Sequence, residues 1–138
     1  MNVQKDSQTV YVDIDDTLIM WDEPKEGWVK KVKLDVPGGN PATEFYLNMY
    51  NYTFMRKLMD RGYTTILWSK SGADWCERVA RGLGITGLVF ACLKKPDIYI
   101  DDYDYGDSIG KRVWYSAEGK RATEYGGEMD KLEGESDE

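Results

Sequence analysis

Thr9-Val10-Tyr11-Val12-Asp13-Ile14-Asp15-Asp16-Thr17-Leu18 is the stretch on which the fold turns. Its opening run is β-branched and aromatic, which suits a buried, pleated strand. Acids gather at the strand's carboxyl end, at Asp13, Asp15 and Asp16. Three later runs repeat the pattern in part. Tyr63-Thr64-Thr65-Ile66-Leu67-Trp68 ends at Ser69, Gly87 to Cys92 is apolar, and Asp97-Ile98-Tyr99-Ile100 ends at Asp101-Asp102.

Helical signals lie between these runs. Leu47, Tyr50, Phe54, Met55, Leu58 and Met59 recur at helical spacing within residues 42–61, and Gly62 can close that helix. Ser71 is placed to cap a second helix, with Asp74 and Glu77 near its start and Arg78 and Arg81 near its end. That distribution complements the helix dipole. Strands alternating with helices predict a parallel sheet with crossover helices. Residues 21–41 read differently. They alternate apolar with charged side chains from Val32 and break at Pro37-Gly38-Gly39-Asn40-Pro41, which predicts a small, half-exposed β-hairpin or flap.

Composition bounds the possibilities. A chain of 138 residues is of one-domain size. Hydrophobic residues make up 41%, so wholesale disorder is excluded. There is no His, so acid–base or metal chemistry within this chain falls to carboxylates, Lys, Tyr or Cys. The net charge of −7 is concentrated in residues 124–138, which carry −6 and leave −1 for residues 1–123. We therefore expect one domain over 1–123 and a solvated, disordered acidic tail over 124–138, with an interaction tail or nucleic-acid mimic as the sharper alternative. Cys76 and Cys92 sit in apolar surroundings and are expected to be free, buried thiols in a reducing compartment. The polar opening Met1 to Ser7 predicts no signal peptide, and no run is long enough for a membrane span. The expected location is cytoplasmic.

Ligands of open parallel sheets bind outside the carboxyl ends of the strands. The strand ends therefore predict one cluster holding Asp13, Asp15, Asp101, Asp102 and the Ser69 hydroxyl, with Lys94 or Lys95 just before the last strand. Carboxylates crowded in this way repel unless a hard divalent cation joins them. Mg²⁺ fits, since it takes one or two carboxylates, several waters and a substrate phosphate. An aspartate beside that phosphate could attack it.

At this point the chain resembles the haloacid dehalogenase superfamily. Val10-Tyr11-Val12-Asp13-Ile14-Asp15-Asp16-Thr17-Leu18 is similar to its D-x-D-x-T-L motif. Ile66-Leu67-Trp68-Ser69 is similar to the second motif, and Lys95-Pro96 with Tyr99-Ile100-Asp101-Asp102 to a compressed third and fourth. The resemblance spans residues 9–102. Together with the periodicity it predicts an α/β, Rossmann-like three-layer sandwich with a mostly parallel central sheet and a small β-hairpin flap after the first strand.

The resemblance also implies roles. Asp13 would be the nucleophile that forms an aspartyl-phosphate, and Asp15 the general acid and then base. Thr17 would orient the loop, Ser69 would bind phosphate, and Lys95 would neutralise charge, with adjacent Lys94 as the alternative. Mg²⁺ would be held by Asp13, by Asp15 through its backbone carbonyl, by Asp101 and by Asp102. The lysine departs from the commoner pattern in lying only six residues before Asp101.

The short insertion after the first motif leaves room for a flap but not for a cap domain. A capless member has an open site, which suits phosphate on a large substrate, a nucleic-acid end or a phosphoprotein, while a small substrate such as a nucleotide can bind if another subunit closes the site. Trp28, Lys30 and Lys31 in the flap are candidates for contacting an anionic substrate, against the plainer reading of a solvated hairpin. The expected activity is a Mg²⁺-dependent phosphomonoester phosphatase. The alternatives are a phosphoryl mutase or transferase and a catalytically silent binding module. Phospho-receiver domains share a carboxylate cluster, but there the acceptor lies on a middle strand, whereas here the acidic pair opens the chain.

Overall fold

The structure, a computed structural model, describes residues 8–22, 33–38 and 44–116. Strand β1 (Thr9–Asp13) pairs in parallel with β5 (Thr64–Ser69), and β5 pairs in parallel with β6 (Ala91–Lys94). This gives a three-stranded sheet in the order β1-β5-β6. A second three-stranded sheet is antiparallel, with β4 (Phe45–Leu47) between β2 (Ile19–Met20) and β3 (Lys33–Leu34). Helix α1 (Met49–Asp60) links β4 to β5, and α2 (Ala73–Leu83) links β5 to β6. A short α3 (Tyr105–Ser108) follows.

The α/β class and the parallel sheet flanked by helices are therefore present. The register puts Val12, Leu67 and Cys92 side by side on one face, and that face is the covered one. Helix α2 packs against β5 and β6 and contributes Cys76, Val79 and Ala80 to the core with Ile14, Leu18, Leu67 and Ile85. The other face carries Tyr11, Trp68 and Leu93, with Tyr11 and Leu93 exposed.

Several boundaries differ from the sequence reading. The expected helix over 42–61 begins only at Met49. Phe45, Tyr46 and Leu47 are all buried and form the central strand of the small sheet, and Asn48 then starts the helix by accepting the Tyr50 and Asn51 N–H groups at 3.1 Å. Ser71 does not cap α2. Gly72 takes that position at φ 110°, which favours glycine, and no side chain caps the helix. At its far end Gly84 closes α2 in the left-handed region at φ 71°, as its glycine allows.

The third run is a 3-10 turn over Thr86–Leu88 before the strand opens at Ala91. The fourth, Asp97 to Ile100, is not a strand. It follows Pro96 and pairs with no strand among the described residues, and Ile98 and Ile100 are 82% and 99% exposed. The flap is described only in part, as β3 and Asp35 to Gly38. Trp28, Lys30, Lys31 and the tail over 124–138 lie outside the described residues. Both thiols are free, with Cys76 buried and Cys92 half-buried. Among the described residues no helix is long and apolar enough to cross a membrane.

Candidate functional site

The turn after β1 is built on one carbonyl. Ile14 C=O accepts the N–H groups of Thr17, Leu18 and Ile19 at 3.2, 2.9 and 3.1 Å, while Asp16 N–H donates to Ile19 C=O at 2.7 Å. Closing so tight a loop puts Asp16 in the left-handed region at φ 61°, which Asp tolerates better than most residues. Ile14 and Leu18 are fully buried and anchor the loop to the core. Asp13, Asp15 and Thr17 alternate with those apolar anchors and face the site instead.

Asp13 is held from two sides. Thr17 Oγ1 donates to Asp13 Oδ2 at 3.0 Å, and Lys95 Nζ stands 3.0 Å from Oδ1. Lys95 N–H donates to Ser69 C=O at 3.0 Å, which extends the β5–β6 ladder by one residue and delivers this lysine to Asp13. Its ammonium also lies 5.6 Å from the Trp68 ring centroid, a cation–π distance. Lys94 turns outward to an exposed pair with Asp97 at 3.5 Å.

Asp15 is enclosed by donors. Ser69 Oγ and Ser71 Oγ donate to Oδ2 at 3.2 and 3.4 Å, and the indole Nε1–H groups of Trp21 and Trp75 donate to Oδ1 at 2.9 and 3.1 Å. Ser69 is buried, and its hydroxyl also accepts the Ser71 N–H at 3.0 Å. Trp21, Phe45 and Trp75 pack as one aromatic group, and the Arg78 guanidinium lies over Trp75 at 5.5 Å. Cys76 sits behind the carboxylates. Burial first, then Cys92, Asp15 and Asp13, push its thiol up to about 12.

The loop is tied to α1 by two buried asparagines that sequence reasoning missed. Asn51 Nδ2 donates to Thr17 C=O at 2.9 Å and to Tyr115 C=O at 2.8 Å, and its Oδ1 accepts the Tyr115 N–H at 2.8 Å. Asn48 N–H donates to Leu18 C=O at 2.8 Å. The available signal was a pair of polar amides, three residues apart, within an apolar helical stripe. Ser71, Trp21 and Trp75 had no such signal as partners of Asp15. Trp75 is 60 residues from Asp15, and only folding brings them together.

The structure thus gathers Asp13, Asp15, Thr17, Ser69 and Lys95, and it does not gather Asp101 and Asp102 with them. The physical reason is the missing fourth strand, which was to carry that pair to the sheet's carboxyl end. Asp101 instead accepts the Tyr103 N–H at 3.1 Å and the Ser108 hydroxyl. Those hydrogen bonds, Ser108 first, hold its carboxyl below the ordinary range. Among the described residues no three Asp, Glu, Cys or His side chains form a group that could hold a metal ion. The donor set as placed does not complete a Mg²⁺ site, because among the described residues no third carboxylate joins Asp13 and Asp15. Comparison with known protein-family models, curated proteins and solved structures yields no match.

Proposed function

We propose that this chain is a phosphomonoester hydrolase of the haloacid dehalogenase type, working through an aspartyl-phosphate on Asp13. One observation supports this above others. Three separate segments converge at the carboxyl end of a parallel sheet, and the convergence pairs Asp13 with a half-buried lysine and Asp15 with Ser69.

In this reading an Asp13 oxygen attacks phosphorus. The new O–P bond forms as the bond to the leaving oxygen breaks, and Asp15 gives that oxygen a proton. Water then attacks the aspartyl-phosphate and Asp15 takes its proton, which releases inorganic phosphate and restores the Asp13 carboxylate. The Thr17 and Lys95 contacts fix the carboxylate and still leave about half of its lone-pair sites open. Lys95 offsets the repulsion between the Asp13 carboxylate and an incoming phosphate dianion, and in this reading the Ser69 hydroxyl turns from Asp15 to donate to a phosphate oxygen. A nucleotide or nucleic-acid end is the substrate class this reading favours. A requirement for Mg²⁺ belongs to the proposal as a point to be tested, and no step above depends on it.

The test is phosphate release from nucleotides, 3′- and 5′-phosphorylated oligonucleotides, sugar phosphates and phosphopeptides, with and without Mg²⁺. Release is expected, and Asp13→Asn is expected to abolish it while leaving the fold intact. Retained activity in that variant would refute the nucleophile. Asp101→Asn and Asp102→Asn decide whether those carboxylates serve a metal, and an unchanged Mg²⁺ requirement in both removes them from its ligands. That no third carboxylate among the described residues joins Asp13 and Asp15 favours a second reading, a catalytically silent phosphate-binding module. Phosphate binding without turnover on the whole panel would decide for it.

A further inference from the structure

The four donors around Asp15 are not equivalent, and their difference has a chemical consequence. An indole Nε1–H can only donate, whereas a serine hydroxyl can donate or accept by rotating. Asp15 Oδ1 receives the two indoles, at 2.9 Å from Trp21 and 3.1 Å from Trp75. Oδ2 receives the two hydroxyls, Ser69 at 3.2 Å and Ser71 at 3.4 Å. A proton on Oδ1 would point an O–H at two N–H groups that cannot accept it. A proton on Oδ2 meets hydroxyls that can turn and accept.

We infer that Trp21 and Trp75 are positioning residues that clamp Asp15 by Oδ1, so that it exchanges protons with the substrate through Oδ2. This rests on the acid–base role proposed for Asp15. The placement supports it. Oδ2 lies on the side of Ser69, the residue assigned to phosphate. The two indoles are also packed against neighbouring side chains. Trp21 meets Phe45 edge-on at 4.7 Å between centroids, Trp75 lies 5.6 Å from Phe45, and Arg78 covers Trp75. Trp21 is 49% exposed, so its ring is not there only to fill the core. An indole that is half in water and spends its one polar hydrogen on a carboxylate is explained by that carboxylate.

The experiment compares two leaving groups in Trp21→Phe, Trp75→Phe and Asp15→Asn. Phenylalanine keeps an aromatic ring and removes the N–H. Ribose 5-phosphate releases an alkoxide-like oxygen that needs a proton in the transition state, and p-nitrophenyl phosphate releases a phenolate that does not. Each Trp variant is expected to lower kcat on ribose 5-phosphate by roughly tenfold or more, the size of a lost charge-assisted hydrogen bond. It should leave kcat on p-nitrophenyl phosphate nearly unchanged, and Asp15→Asn should show the same selectivity more strongly. Equal losses on both substrates would overturn the clamp, since they would mark a packing role, and so would no loss on either. If Trp75→Phe does not fold, Trp21→Phe decides alone. If ribose 5-phosphate is not hydrolysed, the best nucleotide of the panel above takes its place as the alkyl ester, and if the unmodified chain releases phosphate from none of that panel, the hydrolase reading itself falls and takes the clamp with it.

Discussion

Lys94 and Lys95 are neighbours with opposite fates, and the cause is where each lies relative to the end of β6. Lys95 is about a quarter exposed and pairs with Asp13, whereas Lys94 is mostly exposed and pairs with Asp97. Exposed pairs of the second kind contribute little. Lys95→Met is therefore expected to lower phosphate release by roughly 10²-fold or more, as loss of a preorganised charge at a phosphoryl site does. Lys94→Met should leave release essentially unchanged, and the reverse order would move the site lysine to Lys94. Cys76 gives a prediction of a different kind. The unfolded chain releases its thiol proton near the ordinary value of 9.0, the folded chain only near about 12. Between those values the unfolded state binds fewer protons, so stability falls as pH rises through that window, by up to about 1.4 kcal/mol per pH unit. Urea midpoints measured from about pH 8 upward should fall more steeply for the wild type than for Cys76→Ala. Parallel slopes would mean that the thiol titrates normally.

Helix α2 carries a glycine that intrinsic propensity argues against. Ala is preferred over Gly in a helix by about 1 kcal/mol, so Gly82→Ala would ordinarily stabilise. Here a Cβ on residue 82 would stand 2.4 Å from the Asp35 carbonyl oxygen. Backbone cannot yield as a flexible side chain does, so the segment Lys33–Gly38 would have to lift away from the helix. Gly82→Ala is expected to cost about 1–3 kcal/mol, the range for overpacking, and to speed amide exchange in that segment. A raised melting temperature would show that the two elements do not touch. The elements around this contact were legible in the chain to different degrees. Strands β1 and β5 are β-rich runs bounded by turns, and α2 has a single apolar stripe with matched end charges, so local pattern sufficed for each. Strand β4 did not announce itself, because three consecutive buried residues, Phe45, Tyr46 and Leu47, suit a strand or the first turn of the helix that follows. Asp97 to Ile100 shows the opposite failure. Its pattern is strand-like, but a strand needs a partner edge, and pattern alone does not supply one.

At the scale of the whole molecule the candidate site depends on chain closure. The residues legible in the sequence, Asp13, Asp15, Thr17, Ser69 and Lys95, lie at strand ends or within a motif. The residues that hold them in place, Asn48, Asn51, Trp21 and Trp75, are set by packing between distant segments, and no local spacing reports that. One of these ties runs from Tyr115 back to α1. Tyr115 is buried, exchanges backbone hydrogen bonds with both ends of the Asn51 amide, accepts from Asn48 Nδ2 at 3.2 Å, and sets its ring beside Tyr50 and Phe54. Trp114 Nε1–H adds a bond to Asp16 C=O at 3.4 Å. Because Asn51 also holds Thr17 C=O, the segment around Tyr115 braces the loop that carries Asp13 and Asp15. A chain ended at Arg112 leaves two buried amides short of partners, each at a cost of about 1–3 kcal/mol, and loses the burial of an aromatic ring. We expect it to be less stable than a chain ended at Ser116 by roughly 3–6 kcal/mol, a large part of a typical domain's total. Urea denaturation of the two truncated chains makes the comparison. Its structural cause is then read from exchange of the amides of Thr17, Leu18 and Ile19, which should lose protection in the shorter chain because the Asn51 amide that holds Thr17 C=O is no longer braced. Equal midpoints and equal protection would show that the loop holds its shape without Tyr115.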